Sequence, residues 1–232
     1  MNVRAVLFDV GGPLNTEFEH ERLIDADILA VLAGAGIDVT PQQYTAAVDF
    51  AVHAYAPDAH PAIIWHATGV RLIRELAGRL FDEFRVRAHA RPMPFELREG
   101  IAEVVEWLHG RGLRLGLAAN QPHATLEVLD RHGVGRFFHH REVSGTHGYR
   151  KPDPRLFLRC CEDLGVQPEA CIMIGDRIDN DVAPAKLLGM RAVLFRTGRH
   201  AAQQPRSHDE LPDAEVRTPL ELRRALEVLL DE

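Results

Sequence analysis

The sequence lacks long apolar runs and a cysteine framework. No stretch approaches the roughly 18 apolar residues that a membrane span needs, and the apolar run near the start is too short for a signal peptide. The three cysteines, Cys160, Cys161 and Cys171, have an odd count and no C-x-x-C spacing, which argues against a disulfide framework and a zinc knuckle. We therefore expect a cytoplasmic globular protein with buried thiols and no membrane partner.

Basic charge is also scarce, and lysine is the rarest basic residue. The formal net charge is −7 at pH 7, whereas a protein that binds a nucleic-acid backbone needs a concentrated basic face. No nucleic-acid partner is therefore expected, although a small anionic substrate remains compatible. Only two lysines occur, Lys151 and Lys186, so each is a candidate for a specific role. The 13 histidines are scattered without metal-ligand spacing, and we expect them to be solvated or in the core.

Short apolar segments with strand character alternate with amphipathic helical patterns. The strand-like segments span residues 3–8, 113–118, 137–143, 171–174 and 192–195. This alternation predicts a doubly wound α/β fold with about five parallel strands. A surface loop is expected over residues 200–212, followed by a last helix over residues 220–230.

Residues 17–91 break this alternation and predict an inserted, all-helical domain. They contain no convincing strand, and their helix-like stretches span residues 19–35, 41–55 and 65–84. Thr40, directly before a proline, predicts a capped helix start, and the Pro-Met-Pro segment at 92–94 predicts a stiff exit hinge. The expected division is an α/β core of residues 1–16 and 92–232 with a helical domain of residues 17–91.

Acidic residues follow two of the predicted strands. Asp9 ends the first strand before a glycine-containing turn, at the edge of a parallel sheet where ligands bind. Asp176, Asp179 and Asp181 put three carboxylates into six residues after a later strand, and like charges this close favour a cation. An EF-hand calcium loop is excluded because it needs glycine at the position of Asp181. The alternatives are an ordinary turn aspartate at Asp9 and helix capping by the acidic cluster.

Lys151 lies in a loop stiffened by Pro152 and Pro154. Such a loop holds its backbone extended and can direct an ammonium group inward. The alternative for a lysine in a proline-rich loop is a solvated surface position.

Taken together, Asp9, Lys151 and the Gly175-Asp176-x4-Asp181 string resemble the haloacid dehalogenase superfamily of phosphohydrolases. The segments KPDPRLF and IGDRIDNDVAPAKLLGM resemble its third and fourth motifs, and FDVGGPL and LGLAANQP occupy the places of the first and second. The resemblance covers about residues 1–14 and 92–198. It implies a Rossmann-like core, and it puts the helical insert where the family has its C1-type cap.

The resemblance also implies roles for individual residues. Asp9 would attack phosphorus as nucleophile and form an aspartyl-phosphate, while Lys151 would steady charge on the nucleophile and the phosphate. Mg²⁺ would be the cofactor, and the substrate would be a small phosphorylated metabolite. The implied metal ligands are Asp9, the Gly11 carbonyl, Asp176 and Asp181, and the implied phosphate contacts are Gly12, Asn120 and Lys151. Three carboxylates are then balanced by Mg²⁺ and one lysine. A monomer or homodimer is expected.

Two positions depart from the family pattern. Gly11 stands where the family has its general acid, and Ala119 stands where it has a Ser or Thr that contacts the phosphoryl group. A general acid contributes about 10²–10⁴ in rate and a charge-stabilising donor about 10²–10³. Glu17 and His20 follow the nucleophile closely enough to be considered as a replacement acid, but we do not assign them as catalytic.

Three hypotheses follow for the function. The first is a Mg²⁺-dependent phosphatase of weak or specialised activity. The second is a non-catalytic binding or regulatory protein with the same fold. The third hypothesis, a 2-haloacid dehalogenase, fits Gly11, because a departing halide needs no general acid. It is the least favoured because dehalogenation needs no metal, which would leave Asp176 and Asp181 beside Asp9 without a cation.

Overall fold

The computed structural model describes residues 2–69, 74–92 and 94–231. Internal contacts divide the chain into two compact units. The first comprises residues 1–16 and 95–232, and the second comprises residues 17–94. None of the helices in the described ranges is long and apolar enough to cross a membrane.

The first unit contains a five-stranded parallel sheet, which confirms the predicted fold class. Its strands are β1 (Ala5–Phe8), β2 (Arg114–Leu117), β3 (Cys171–Gly175), β4 (Arg191–Phe195) and β5 (Ala214–Val216). The spatial order is β2-β1-β3-β4-β5. Phe8 at the end of β1 pairs with Leu117 of β2 and with Ile174 of β3, so the residues that follow these three strands emerge at one edge.

One predicted strand was wrong and one observed strand was missed. Within residues 137–143 the structure has no strand; a 3₁₀ turn ends at Phe137, and a single bridge joins His140 to Gly116. The polar residues His140, Arg141 and Glu142 interrupt its apolar residues and pair with side chains on two helices. The missed strand, β5, has only three residues and too few apolar positions to show alternation.

The helices, in chain order, are α1 (Phe18–Gly34), α2 (Pro41–His53), α3 (Ala59–Thr68), α4 (Arg74–His89), α5 (Ile101–Gly110), α6 (Thr125–Arg131), α7 (Ser144–His147), α8 (Pro154–Leu164), α9 (Ala183–Leu187) and α10 (Pro219–Asp231). In the first unit, α5 and α10 pack on the face of the sheet that carries Val6 and Phe8. On the opposite face, Leu7 and Leu164 of α8 fill the space beside Gly116. Side chains alternate between faces along a strand, so β1 is buried on both sides.

Helices are the only regular elements among the described residues of the second unit. Thr40 caps α2: its hydroxyl accepts from the Gln43 N–H, and the Gln43 side chain accepts from the Thr40 N–H. The third predicted helical stretch is two helices, α3 and α4, and residues 70–73 between them lie outside the described residues. Met93 of the predicted exit hinge also lies outside them. The unit has its own core, with Ile28, Leu32 and Ile63 fully buried.

Candidate functional site

Asp9 lies directly after β1 and is 9% exposed. Its backbone N–H donates to the Ile174 carbonyl at 2.8 Å, which extends the β1–β3 pairing and fixes the residue at the carboxyl edge of the sheet. Its Oδ1 atom accepts from the Val10 N–H at 2.7 Å. The carboxylate is thus held in one orientation by its own turn.

Lys151 is buried, and its Nζ atom lies between two carboxylates. It is 2.9 Å from Asp9 Oδ1 and 2.5 Å from Asp181 Oδ1, and the Lys151 side chain is only 2% exposed. The alternative of a solvated lysine is therefore wrong. Two buried ion pairs join residues that follow β1 and β3 with the loop before α8.

Asn120 determines where the Lys151 backbone lies. Its Oδ1 atom accepts from the Lys151 N–H at 2.7 Å, and its Nδ2 atom donates to the Lys151 carbonyl at 3.0 Å. The amide thereby satisfies both backbone groups of a buried loop residue. Asn120 consequently has a positioning role that the sequence did not reveal, and a phosphate contact by this residue stays a prediction.

Asp181 is fully buried in a π-helical turn, Ile178–Val182. Single π-helical turns are frequent at functional sites. Its Oδ2 atom accepts from the Arg177 N–H at 2.9 Å, and a Cβ atom at Gly175 would overlap its carboxylate. Only glycine at the end of β3 therefore leaves room for this aspartate.

Asp179 has a different role from the other two acidic residues of the cluster. It pairs with Arg177 at 2.5 Å and accepts from Gln203 Nε2 at 3.2 Å. Both partners are side chains, so Asp179 does not cap the following helix. Gln203 was expected in a surface loop, but it is 1% exposed and its Oε1 atom accepts from the Ile178 N–H.

The turn after Asp9 is braced from a distance by Arg98. The Gly12 carbonyl accepts from Arg98 Nε at 2.9 Å and from Nη2 at 2.7 Å, and Nη2 also donates to Thr197 Oγ1. Gly12 has φ +80°, and a Cβ atom there would lie 2.7 Å from Asp176 Cβ. Glycine at position 12 therefore brings the first turn against the acidic loop.

Asp9, Asp176 and Asp181 form a group that could hold a metal ion. One carboxylate oxygen from each lies within 4.8 Å of the others. Burial raises the pKa of Asp9 to about 6, with Lys151 opposing this shift and Asp181 adding to it. Burial acts to lower the pKa of Lys151, but Asp181 and Asp9 prevail and raise it to about 12. One ammonium does not balance three carboxylates, and their hard oxygen atoms suit Mg²⁺.

The two departures from the family pattern lie in the same region. Ala119 is fully buried, and its carbonyl accepts from the Ser144 N–H at 3.0 Å. Its methyl side chain can donate no hydrogen bond. Gly11 has no side chain for proton transfer, and its φ is not in the left-handed region.

A parallel sheet that gathers buried carboxylates and a buried lysine at its carboxyl edge is typical of α/β enzymes that bind charged ligands there. A family model for haloacid dehalogenase-like hydrolases matches residues 3–189, and the chain belongs to that family. It is therefore a hydrolase.

The relatives of the chain include named phosphatases. Glyceraldehyde 3-phosphate phosphatase of Methanopyrus kandleri is 28% identical over 230 residues, which are 95% of each chain. The structure of an HAD phosphatase from Thermococcus onnurineus has a TM-score of 0.62 and 24% identity, and the match covers 97% of this chain and 98% of that one. The magnesium-bound structure of the HAD-hydrolase-type protein YfnB from Bacillus subtilis has a TM-score of 0.63 and 18% identity over the full length of both. The two structures support the fold.

Proposed function

We propose that the chain is a Mg²⁺-dependent phosphatase that acts on a small phosphomonoester through an aspartyl-phosphate on Asp9. The observation that carries the proposal is the buried Lys151 ammonium between Asp9 and Asp181, with Asp176 in the same carboxylate group. The phosphatase relative with matched length supports the same conclusion. A cytoplasmic location is part of the proposal.

Asp9 acts as the nucleophile. One of its carboxylate oxygens forms a bond to phosphorus while the bond from phosphorus to the ester oxygen breaks, and the leaving group departs with the bonding pair as an oxyanion, which takes a proton from water. Water then cleaves the aspartyl-phosphate and restores the carboxylate. Lys151 supports the attack by Asp9 because its charge lowers the pKa of Asp9, which opposes the rise caused by burial.

Asp9, Asp176, Asp181 and the Gly11 carbonyl would hold Mg²⁺. Bound there, Mg²⁺ would neutralise charge on the phosphoryl oxygens. The Lys151 ammonium lies against Oδ1 of Asp9 and Oδ1 of Asp181, and Asp176 adds a third carboxylate to the group. Gly12 and Asn120 line the phosphoryl site, where backbone N–H groups replace the hydroxyl that Ala119 lacks.

The substrate is a phosphate ester with a good leaving group. Because Gly11 cannot donate a proton, an alkoxide leaves about 10²–10⁴ more slowly than it would beside a general acid. An anomeric phosphate suffers less from this loss, since its leaving group is more stable as an anion. Enzymatic phosphomonoester hydrolysis can exceed the uncatalysed rate by up to ~10²¹, so the activity survives the loss.

Hydrolysis of 4-nitrophenyl phosphate tests the proposal because nitrophenolate leaves without protonation. Wild type, Asp9→Asn and a control, Asp38→Asn, are assayed with and without Mg²⁺; Asp38 is exposed. We expect Mg²⁺-dependent turnover in wild type and Asp38→Asn and background turnover in Asp9→Asn. Full activity in Asp9→Asn would overturn the mechanism.

No turnover by folded wild-type protein would favour the non-catalytic alternative. Titration with inorganic phosphate and Mg²⁺ would then show whether the site binds its ligands without reacting. Metal-independent release of halide from a 2-haloacid would instead favour the dehalogenase alternative.

A further inference from the structure

The segment between Asp176 and Asp181, residues 177–180, determines how far apart two of the proposed metal ligands lie. Asp176 directly follows β3, and Asp181 lies in the π-helical turn Ile178–Val182. One carboxylate oxygen from each lies within 4.8 Å of the other. A π-helical turn is a rare conformation, and the first N–H groups of a helix have no partner within it. The turn therefore needs hydrogen bonds from another part of the chain.

Gln203 supplies two such hydrogen bonds. Its Oε1 atom accepts from the Ile178 N–H at 2.9 Å, and its Nε2 atom donates to Asp179 Oδ1 at 3.2 Å. A backbone N–H only donates and an ionised carboxylate only accepts, so these two partners determine how the amide is oriented. Gln203 is buried, so bulk water does not compete for either bond. One side chain thus fixes two adjacent residues of the segment between the aspartates.

Gln203 is itself fixed to the end of a strand. Its backbone carbonyl accepts from Arg196 Nη1, and its N–H donates to the His200 carbonyl at 3.0 Å. Arg196 directly follows β4, and its side chain is buried and pairs with Glu215 at 2.8 Å. Gln203 therefore connects the end of β4 to the π-helical turn after β3.

Arg177 links these contacts to the carboxylate of Asp181. The Arg177 side chain pairs with Asp179 at 2.5 Å, and Asp179 is the carboxylate that Gln203 also contacts. The Arg177 backbone N–H donates to Asp181 Oδ2 at 2.9 Å, while Asp181 Oδ1 lies 2.5 Å from Lys151 Nζ. The orientation of the Asp181 carboxylate therefore depends on the backbone of residues 177–179, which Gln203 fixes.

We propose that Gln203 is a positioning residue that holds residues 177–180 so that Asp176 and Asp181 can bind the same divalent cation. This inference rests on the proposed Mg²⁺ site. Gln203 carries no charge and acts through the turn, so its contribution is geometric. Outer partners of metal ligands contribute about 10–100-fold in metal affinity, and we expect the lower end of this range because Gln203 does not contact a ligand carboxylate directly.

Metal binding by the full chain without substrate tests the proposal. Mn²⁺ takes the same kind of oxygen ligands as Mg²⁺, so its binding is measured from the EPR signal of the free ion, and Mg²⁺ is then added as competitor. Gln203→Asn shortens the side chain by one methylene, so that it cannot reach both partners, and Gln203→Met removes both bonds at similar length. The controls are Gln204→Asn, at an exposed neighbour, and Leu226→Ala, which opens a cavity in the core.

We expect both Gln203 variants to raise the Kd for Mn²⁺ and Mg²⁺ about tenfold, whereas Gln204→Asn keeps the wild-type values. Leu226→Ala should lower the Tm and leave both Kd values unchanged, which separates positioning from general stability. If Gln203→Met does not fold, Gln203→Asn decides the question.

Unchanged metal affinity in Gln203→Asn, or an equal loss of affinity in Leu226→Ala, would overturn this proposal and leave the proposed metal site intact. No binding of either ion by folded wild-type protein would instead overturn the proposed metal site, and this proposal with it.

Discussion

Removal of the Lys151 charge should destabilise the protein far more than removal of the chain's other lysine charge. Lys151→Met leaves the carboxylates of Asp9, Asp176 and Asp181 close together without their ammonium. Asp181 is wholly buried and the Asp9 side chain is 12% exposed, so water replaces little of the lost interaction. Loss of one partner from a buried ion pair costs about 3–5 kcal/mol.

Lys186→Met is the matched control. Lys186 lies 2.9 Å from Asp213, but both side chains are more than a quarter exposed, and such a pair contributes about 0–1 kcal/mol. Urea unfolding of the two variants in Mg²⁺-free buffer at pH 8 measures the difference. The effect of Lys151→Met should shrink toward pH 4, since the Asp9 carboxyl, with a pKa of about 6, is protonated there and needs no cation. Equal losses in the two variants would refute the argument that the Lys151 charge is essential to the carboxylate cluster.

Two further variants test the site. Because burial raises the pKa of Asp9 from 3.8 to about 6, the stability that its carboxyl contributes is present below about pH 4 and is lost as pH rises through about 6. Asp9→Asn should therefore raise the free energy of unfolding at pH 8 by up to about 3 kcal/mol, at about 1.4 kcal/mol per pKa unit, and should hardly change it at pH 4. Urea unfolding without Mg²⁺ at pH 8 and pH 4 measures the two differences. An equal difference at the two pH values would contradict the argument. Arg98→Lys keeps the charge but loses the two-pronged contact with the Gly12 carbonyl, so kcat for 4-nitrophenyl phosphate should fall while the formal charge stays the same. An unchanged kcat would show that this brace does not position the first turn.

The sequence predicted the sheet and the place of its acidic residues because both are local features. A buried parallel strand is an apolar run, and the residue after it must lie at the carboxyl edge. Asp9 and Asp176 each directly follow an observed strand, and their position in the sequence after an apolar run was enough to predict where they lie in the fold. Lys151 was singled out because lysine is rare in this chain.

The contacts that position these residues were not predictable in the same way. Arg98 and Gly12 are 86 positions apart, Asn120 and Lys151 are 31 apart, and Gln203 and Ile178 are 25 apart. Each contact joins a side chain to a backbone group, which any residue type provides. No local pattern specifies such a partner, so these roles required the structure.

The group missing at Gly11 concerns proton transfer, whereas the retained groups concern charge. In the family pattern, the acid at the position of Gly11 protonates the leaving group and then activates water. With 4-nitrophenyl phosphate the first half-reaction needs no acid, but hydrolysis of the aspartyl-phosphate still lacks its base. We therefore expect a burst of one nitrophenolate per chain followed by slower turnover. Gly11→Asp should abolish the burst and accelerate turnover by about 10²–10⁴, and the backbone accepts the substitution because φ at Gly11 is not left-handed. Stopped-flow absorbance measures both phases for the two proteins. If wild type shows no burst and Gly11→Asp leaves the turnover unchanged, another group supplies the acid and base, and Gly11 does not limit the reaction.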